Sequence, residues 1–445
     1  MTRVNIASEE ILEVARAAKR AARQLAIVPR EIKDRALYGI ATQLIANADK
    51  ILAANEEDQR EARQLVTAGK MAQSLYDRLR LDRNKIMDMA AAVRAVAALP
   101  DPSGQLLART QLDDNLELHK VSCPLGVLAI IFESRPDAVT QISALALKSG
   151  NAAILKGGRE ATYSTNALVR VIHTALAEFS DIPTYAISLL TDREQVNTLL
   201  SLNNYIDLVI PRGSNELVRY IQANTSIPVL GHAEGICHIY IDDAADIQMA
   251  IEIVYDSKLQ YPAACNSVET LLIHRNAAAR LLVPLLTRLT TAGVQIYACA
   301  ETCALARQFP LQPASEEDWH TEYCAPILAI KIVASLDEAI DHINTYGSGH
   351  TDTIVTEDKQ TAARFLDGVD SAGVYHNAST RFADGFRYGL GAEVGISTNK
   401  LHARGPVGLE GLVSYKYKLY GKGQVVASYT GANADTFKHK KLPID

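Results

Sequence analysis

Five short apolar runs, VLAIIF (127–132), AAIL (152–155), AISL (186–189), YIDLVI (205–210) and IPVL (227–230), constrain this chain more than anything else in it. Each is separated from the next by about a helix length, in stretches that begin near Pro136, Glu160, Asp192 and Ser214. Runs this short, apolar on both alternating sets of positions, suit strands covered on both faces. Strands that follow one another with a helix between them predict a parallel, doubly wound sheet. Such sheets take ligands beyond the strand C-termini. The pattern then restarts in ICHIYI (236–241), VETLLIH (268–274), VQIYAC (294–299), PILAIKIV (326–333) and TDTIVT (351–356), which predicts a second α/β domain.

The flanks read differently. Ser8 can cap a helix whose stripe is Ile11, Val14, Ala18, Ala22 and Leu25, with Glu9 and Glu10 complementing its N-terminus. Pro29 interrupts it. One longer helix is expected to carry Ile32, Leu37, Ile40, Leu44 and Ile51 on one face, and another to span 83–98 before the turn Leu99-Pro100-Asp101-Pro102. In QLLARTQLDDNLELHKV (105–121) partial alternation flanks Asp113-Asp114-Asn115, a hairpin pattern. The Gly-, Tyr- and Lys-rich stretch 413–429 reads as one or two further strands of the same projecting arm. The expected division is therefore 1–104 with 124–231 as one domain, 232–405 as the second, and 105–123 with 406–445 as arm and tail.

Composition removes alternatives. A net charge of −6 on 445 residues offers no basic stripe for nucleic acid. No run approaches the roughly 18 apolar residues of a membrane span, and MTRVNIASEE lacks the pattern of a secretory signal. Six scattered cysteines are too sparse for a disulfide scaffold, so reduced thiols and a cytoplasmic location are expected. The eleven histidines show no metal-ligand spacing, and Cys299 with Cys303 alone make no zinc site.

Few residues stand out for chemistry. No G-x-G-x-x-G follows a strand. Pro211-Arg212-Gly213-Ser214, at a strand-to-helix junction, is either a phosphate-binding turn or an ordinary turn with a Ser cap. Lys156 ends a strand and can reach ligand oxygens. Cys265, in QYPAACNSVE (260–269), is flanked by small alanines that let a substrate approach, yet a lone cysteine is as readily a small core residue. His342 and His350 flank the turn Tyr346-Gly347-Ser348-Gly349, which is either a cleft-lining loop or an ordinary one with hydrogen-bonded histidines.

CPLGVLAIIFESRPD (123–137), SGNAAILKGGREA (149–161), YPAACNSVETLLIH (261–274), VASLDEAIDHINTYGSGHTDTI (333–354) and VYHNASTRFADGFRYGLGAEVGIS (374–397) together resemble the γ-glutamyl phosphate reductase family of the aldehyde dehydrogenase superfamily, over essentially the whole chain. The resemblance implies an aldehyde dehydrogenase-like α/β fold: a cofactor domain, a catalytic domain and a β-arm for homo-oligomerisation. It implies NADPH-dependent reduction of the small-molecule substrate L-glutamyl 5-phosphate to L-glutamate 5-semialdehyde, the second step of proline biosynthesis, with Cys265 as nucleophile. Lys156, Gly213, Ser214 and Glu322 (in TEYCAP, similar to E-x-F-G-P) would contact the cofactor. Arg159, where many NAD-preferring relatives carry glutamate, suits a 2′-phosphate, or else forms a surface ion pair with Glu160 or another acid. The family's W-N-F-P becomes Glu133-Ser134-Arg135-Pro136, which leaves Ser134 as the oxyanion donor. The water-activating glutamate of E-L-G-G becomes Val229 in Val229-Leu230-Gly231-His232, against a hydrolytic aldehyde dehydrogenase. Arg135, Arg381 and Arg404 are the candidates for the anionic substrate, or else surface or interface arginines. Because acyl phosphates are labile, transient contact with the glutamate 5-kinase that makes one is also expected.

Overall fold

A computed structural model of the chain describes residues 2–191, 195–232, 234–432 and 434–444. It divides into two compact units, one running to Leu230 and adding Gly391–Gly395 and Val407 onward, the other Gly231–Leu390 with Ile396–Pro406. Among the described residues no helix is long and apolar enough to cross a membrane.

In the first unit, β1 (Leu106–Asp113) and β2 (Leu116–Pro124) form the expected hairpin, turning through Asn115 at φ 54°. Four parallel strands follow: β3 (Val127–Phe132), β4 (Ala152–Lys156), β5 (Ile187–Leu190) and β6 (Leu208–Arg212), in the order β5-β4-β3-β6. The order reverses at β3/β6, so a crevice opens beyond their C-termini. β6 begins later than its apolar run because Asp207 is a junction. Its carboxylate accepts from the Val127 backbone N–H at 2.8 Å and from Lys19 Nζ at 2.6 Å. The run 227–230 makes no strand. Pro228 has no N–H to donate, and only an isolated bridge joins Val229 to Val209.

The first helix spans Thr2–Leu25, so Ser8 lies inside it rather than at its cap. The expected long helix is two, Arg30–Ala46 and Ala48–Thr67, broken at Asn47, and Ile51 belongs to the second. The third, Arg83–Ala98, is as expected, with Asp82 capping. The helical start expected near Asp192 lies outside the described residues.

The second unit is a seven-stranded parallel sheet in the order β10-β9-β11-β8-β7-β12-β13. Its strands are β7 (Cys237–Ile241), β8 (Val268–His274), β9 (Gln295–Ala298), β10 (Gln312–Pro313), β11 (Ile327–Val333), β12 (Thr351–Val355) and β13 (Gly373–His376). Alternation sorts its core into two layers. Ile239, Ile241, Leu271 and Ile273 face one cluster with Leu281 and Leu285, whereas Tyr240 and Leu272 face another with Ile343 and Phe365. A small ladder pairs β14 (Ile396–Ser397) with β15 (Gly405–Pro406). Back in the first unit, β16 (Val413–Tyr420) and β17 (Lys440–Leu442) flank the hairpin in an antiparallel sheet ordered β16-β2-β1-β17.

Candidate active site

Cys265 lies in a turn that closes with Ala264 N–H to Tyr261 O at 3.2 Å and Ser267 N–H to Ala264 O at 2.8 Å, just ahead of β8. Backbone contact holds it from below. A Cβ on Gly235 would stand 2.7 Å from the Cys265 Cα and closer still to its carbonyl oxygen, so only glycine permits this approach. The Cys237 thiol donates to the Cys265 carbonyl at 3.3 Å. Burial, then Asp352 and Cys265, push the Cys237 pKa well up, so that thiol stays protonated as a donor. On the other flank the Asn266 amide donates to Ala383 O at 2.8 Å, and the Thr380 hydroxyl donates to Asn266 O at 2.6 Å.

Two histidines converge on the sulfur. One ligand atom each of His232, Cys265 and His350 lie within 4.8 Å of one another, and the imidazoles meet edge to face at 4.9 Å between centroids. A carbonyl only accepts, so His232 Nδ1–H donates to Ile396 O at 2.9 Å and the ring's lone pair sits on Nε2. His350 Nδ1 pairs with the Thr351 hydroxyl at 2.9 Å, while its buried Nε2 has no partner. These groups come from the N-terminal ends of the adjacent strands β7, β8 and β12. In the strand-end rule that edge is the unexpected one. His342, eight residues from His350, has a different task. It is packed in the helix Leu336–Tyr346 against Trp319, with Lys331 Nζ 3.1 Å away. Burial, then His238 and Lys331, drive its pKa down to about 2, so it is a neutral core residue.

The three candidate arginines separate. Arg381 is buried, donates to Gln260 Oε1 at 2.9 Å and lies over the Tyr261 ring. Burial and then Arg387 lower its pKa, and the nearby Cys265 opposes them, which places its guanidinium within electrostatic reach of the sulfur. Arg404 instead pairs with Asp370 at 3.0 Å, and Arg135, in the first unit, with Asp137 at 3.4 Å.

In the first unit the other candidates gather around the β3/β6 crevice. Ser214 caps the helix Asn215–Ala223, and its own N–H donates to Glu133 Oε2 at 2.8 Å. A carboxylate of the protein thus occupies the anion seat that this helix start creates. Gly213 lies beneath it, where a Cβ would come within 2.8 Å of Glu133 Cδ and push that side chain aside. Ser134, at φ 41°, donates both its N–H (2.6 Å) and its hydroxyl (2.7 Å) to Glu160 Oε1. In this structure its one hydroxyl hydrogen is directed to Glu160. Glu160 lies over Gly158, where a Cβ would be 2.5 Å from its carboxyl carbon. Arg159 is exposed and forms no ion pair among the described residues, so the alternative of a pair with Glu160 is not found. Lys156 Nζ donates to the Gly157 carbonyl, and Gly157, Gly158, Thr162 and Thr191 line a cleft beyond β4 and β5. Glu322, in the second unit, lies beside the Cys324 thiol in the loop before β11.

The sequence matches the aldehyde dehydrogenase family over residues 2–297 and 312–392. It is 53% identical over 434 residues (98% of this chain, 95% of the relative) to the γ-glutamyl phosphate reductase of Synechococcus sp. (strain JA-3-3Ab). To that of Acetivibrio thermocellus it is 52% identical over 432 residues (97% and 98%). Among solved structures, γ-glutamyl phosphate reductase from Thermotoga maritima superimposes with a TM-score of 0.90 at 39% identity, covering 94% of this chain and 99% of that one. The NADP complex of glyceraldehyde-3-phosphate dehydrogenase GapN from Methanocaldococcus jannaschii shares the fold at TM-score 0.64 and 16% identity, covering 93% and 95%. Near-complete coverage at this identity leaves one placement: the chain belongs to the aldehyde dehydrogenase family and, within it, to the γ-glutamyl phosphate reductases.

Proposed function

We propose that this protein reduces L-glutamyl 5-phosphate to L-glutamate 5-semialdehyde with NADPH, releasing phosphate, through a thioester on Cys265. The observation that carries this reading is the setting of Cys265: a partly exposed thiol fixed by its backbone beside two imidazoles, with no carboxylate in the cluster among the described residues. Such a set can activate sulfur and offers no acid side chain to activate a hydrolytic water. Val229, where hydrolytic relatives carry glutamate, points the same way.

In this scheme the His232 Nε2 lone pair takes the Cys265 proton. The sulfur then attacks the acyl carbon, a C–S bond forms, and the C–O bond to phosphate breaks with its electron pair leaving on phosphate. Arg381 faces the anionic leaving group, and its buried position strengthens that attraction. When bound, NADPH would supply the hydride for the thioester carbon, and the Cys265 sulfur would then be released as thiolate. The cradle residues fit such a cofactor: Gly158 and Gly213 are kept bare of side chain, Ser214 N–H already holds an anion, and Arg159 offers a cation with no acidic partner among the described residues for the 2′-phosphate.

The decisive assay runs backwards. With glutamate 5-semialdehyde and NADP, the rate is expected to rise saturably with phosphate, and arsenate is expected to replace it. Oxidation at full rate without either anion, with NAD preferred, would refute the scheme.

Two substitutions probe the geometry. Gly235→Ala is expected to lower kcat about 100-fold, because a Cβ there must displace the Cys265 backbone and misplaces the nucleophile by an ångström or so. Thermal unfolding and the iodoacetamide labelling rate of Cys265 separate that displacement from loss of fold. Glu133→Gln removes the charge that competes for the Ser214 N–H. NADPH is expected to bind about 3- to 10-fold more tightly by fluorescence titration; unchanged or weaker binding would show that Glu133 does not guard this seat.

A further inference from the structure

His232 and His350 lie 118 residues apart in the chain, yet both bring a ring nitrogen to Cys265. Two borderline imidazoles and a soft thiolate are the donor set that Zn²⁺ and Co²⁺ select, whereas Mg²⁺ and Ca²⁺ need oxygen. Each ring is held from behind as a metal-bound histidine is: His232 Nδ1–H on Ile396 O at 2.9 Å, and His350 Nδ1 on the Thr351 hydroxyl at 2.9 Å. The independent sign of a ligand is His350 itself, 1% exposed, with Nε2 buried and unpartnered. A buried polar nitrogen left so is costly unless something occupies the space it faces. Tetrahedral zinc wants its ligand atoms about 3.5 Å apart, so atoms already within 4.8 Å close onto an ion by side-chain torsion.

We infer that His232, Cys265 and His350 form a binding site for Zn²⁺ that switches the protein off reversibly by capturing its nucleophile. Binding releases one proton, that of the Cys265 thiol, to solvent. The imidazoles bind through neutral nitrogens, and the fourth position stays open to water. Site occupancy stands on this geometry alone; its inhibitory effect rests on Cys265 being the acyl carrier.

The test is a titration of the chelator-stripped full-length protein with Co²⁺. One equivalent per chain is expected to give tetrahedral d–d bands and a thiolate-to-cobalt charge-transfer band, both bleached by Zn²⁺. Cys265→Ser should abolish the charge-transfer band. His232→Ala and the milder His350→Gln should each weaken Co²⁺ binding about tenfold or more, and Cys324→Ser should leave the spectrum unchanged. Zn²⁺ should inhibit in proportion to occupancy, with EDTA restoring activity. A charge-transfer band that survives Cys265→Ser, or affinity unchanged in both histidine variants, overturns the site. No band, while Cys265→Ala still abolishes turnover, overturns the site and leaves the thioester reading standing. A full band with undiminished turnover overturns the inhibition and the acyl-carrier role together.

Discussion

Cys265→Ala is expected to lose at least about 10⁴-fold in kcat, the scale of removing a covalent nucleophile, while NADPH binds within about twofold of its original affinity. The two halves follow from where things are anchored. The turn at Cys265 is held through its backbone, by Gly235 and by the Cys237 thiol on its carbonyl, so losing the sulfur leaves the loop in place. Lys156, Arg159, Gly213 and Ser214 all belong to the first unit. Cys265→Ser is the informative companion: it can form an ester, which resists hydride reduction, so slow acylation without semialdehyde would be its signature. Steady-state turnover and a fluorescence titration of NADPH check the pair, and near-normal turnover in the alanine variant would remove the covalent route.

The second large effect lies beneath that turn. Lys258 Nζ donates to Glu269 Oε2 at 2.7 Å and to Val268 O at 2.8 Å, with neither side chain exposed. Burial raises the Glu269 pKa against the pull of Lys258, and burial lowers that of Lys258. Lys258→Met strands a buried carboxyl whose Oε1 already lacks a partner. A loss of about 3–5 kcal/mol in unfolding free energy is expected. Adding Glu269→Leu removes the stranded group, and the double variant is expected to recover most of the loss, since a buried ion pair is only weakly stabilising relative to apolar residues of similar size. Urea unfolding of the three variants measures this. A single variant as stable as the parent would show that the pair contributes nothing to holding the start of β8.

Much of the core could be read from the chain because helices covering a sheet on both sides favour apolar residues on both faces of its strands, as in β3. VLAIIF and VETLLIH are strands β3 and β8 residue for residue. The hairpin turn could be read because Asn115 tolerates a positive φ. What could not be read was set by local breaks and by partners far along the chain. Asn47 breaks a helix that its apolar spacing continues, and Pro228 leaves a bridge where hydropathy suggests a strand. Gln312–Pro313 and Gly373–His376 are edge strands of the second sheet without an apolar run of their own.

The site divides in the same way. Cys265 and Arg381 are proposed from motifs visible in the chain, whereas the pairing of His232 with His350 is not visible there. Nothing in a spacing of 118 residues says that β7 and β12 lie side by side. Had that strand order been anticipated, the residues just ahead of both strands would have been the place to search. His342, equally prominent in the same motif, carries an opposite lesson, since its neighbours make it a structural residue. Ser134 shows what a motif leaves out: its hydroxyl donates to Glu160, a partner 26 residues away.

The carboxylate on the Ser214 N–H has a consequence for traffic through the cofactor cleft. A tethered side chain competes as though present at millimolar concentration or more, on the order of what short tethers achieve. A lone orthophosphate, which the proposed reaction sets free at every cycle, must displace that resident with no second foothold. A dinucleotide arrives with adenine, ribose and a further phosphate to grip the cleft while Glu133 yields. For the proposed reaction, such a seat would favour a ligand that grips at several points over free phosphate.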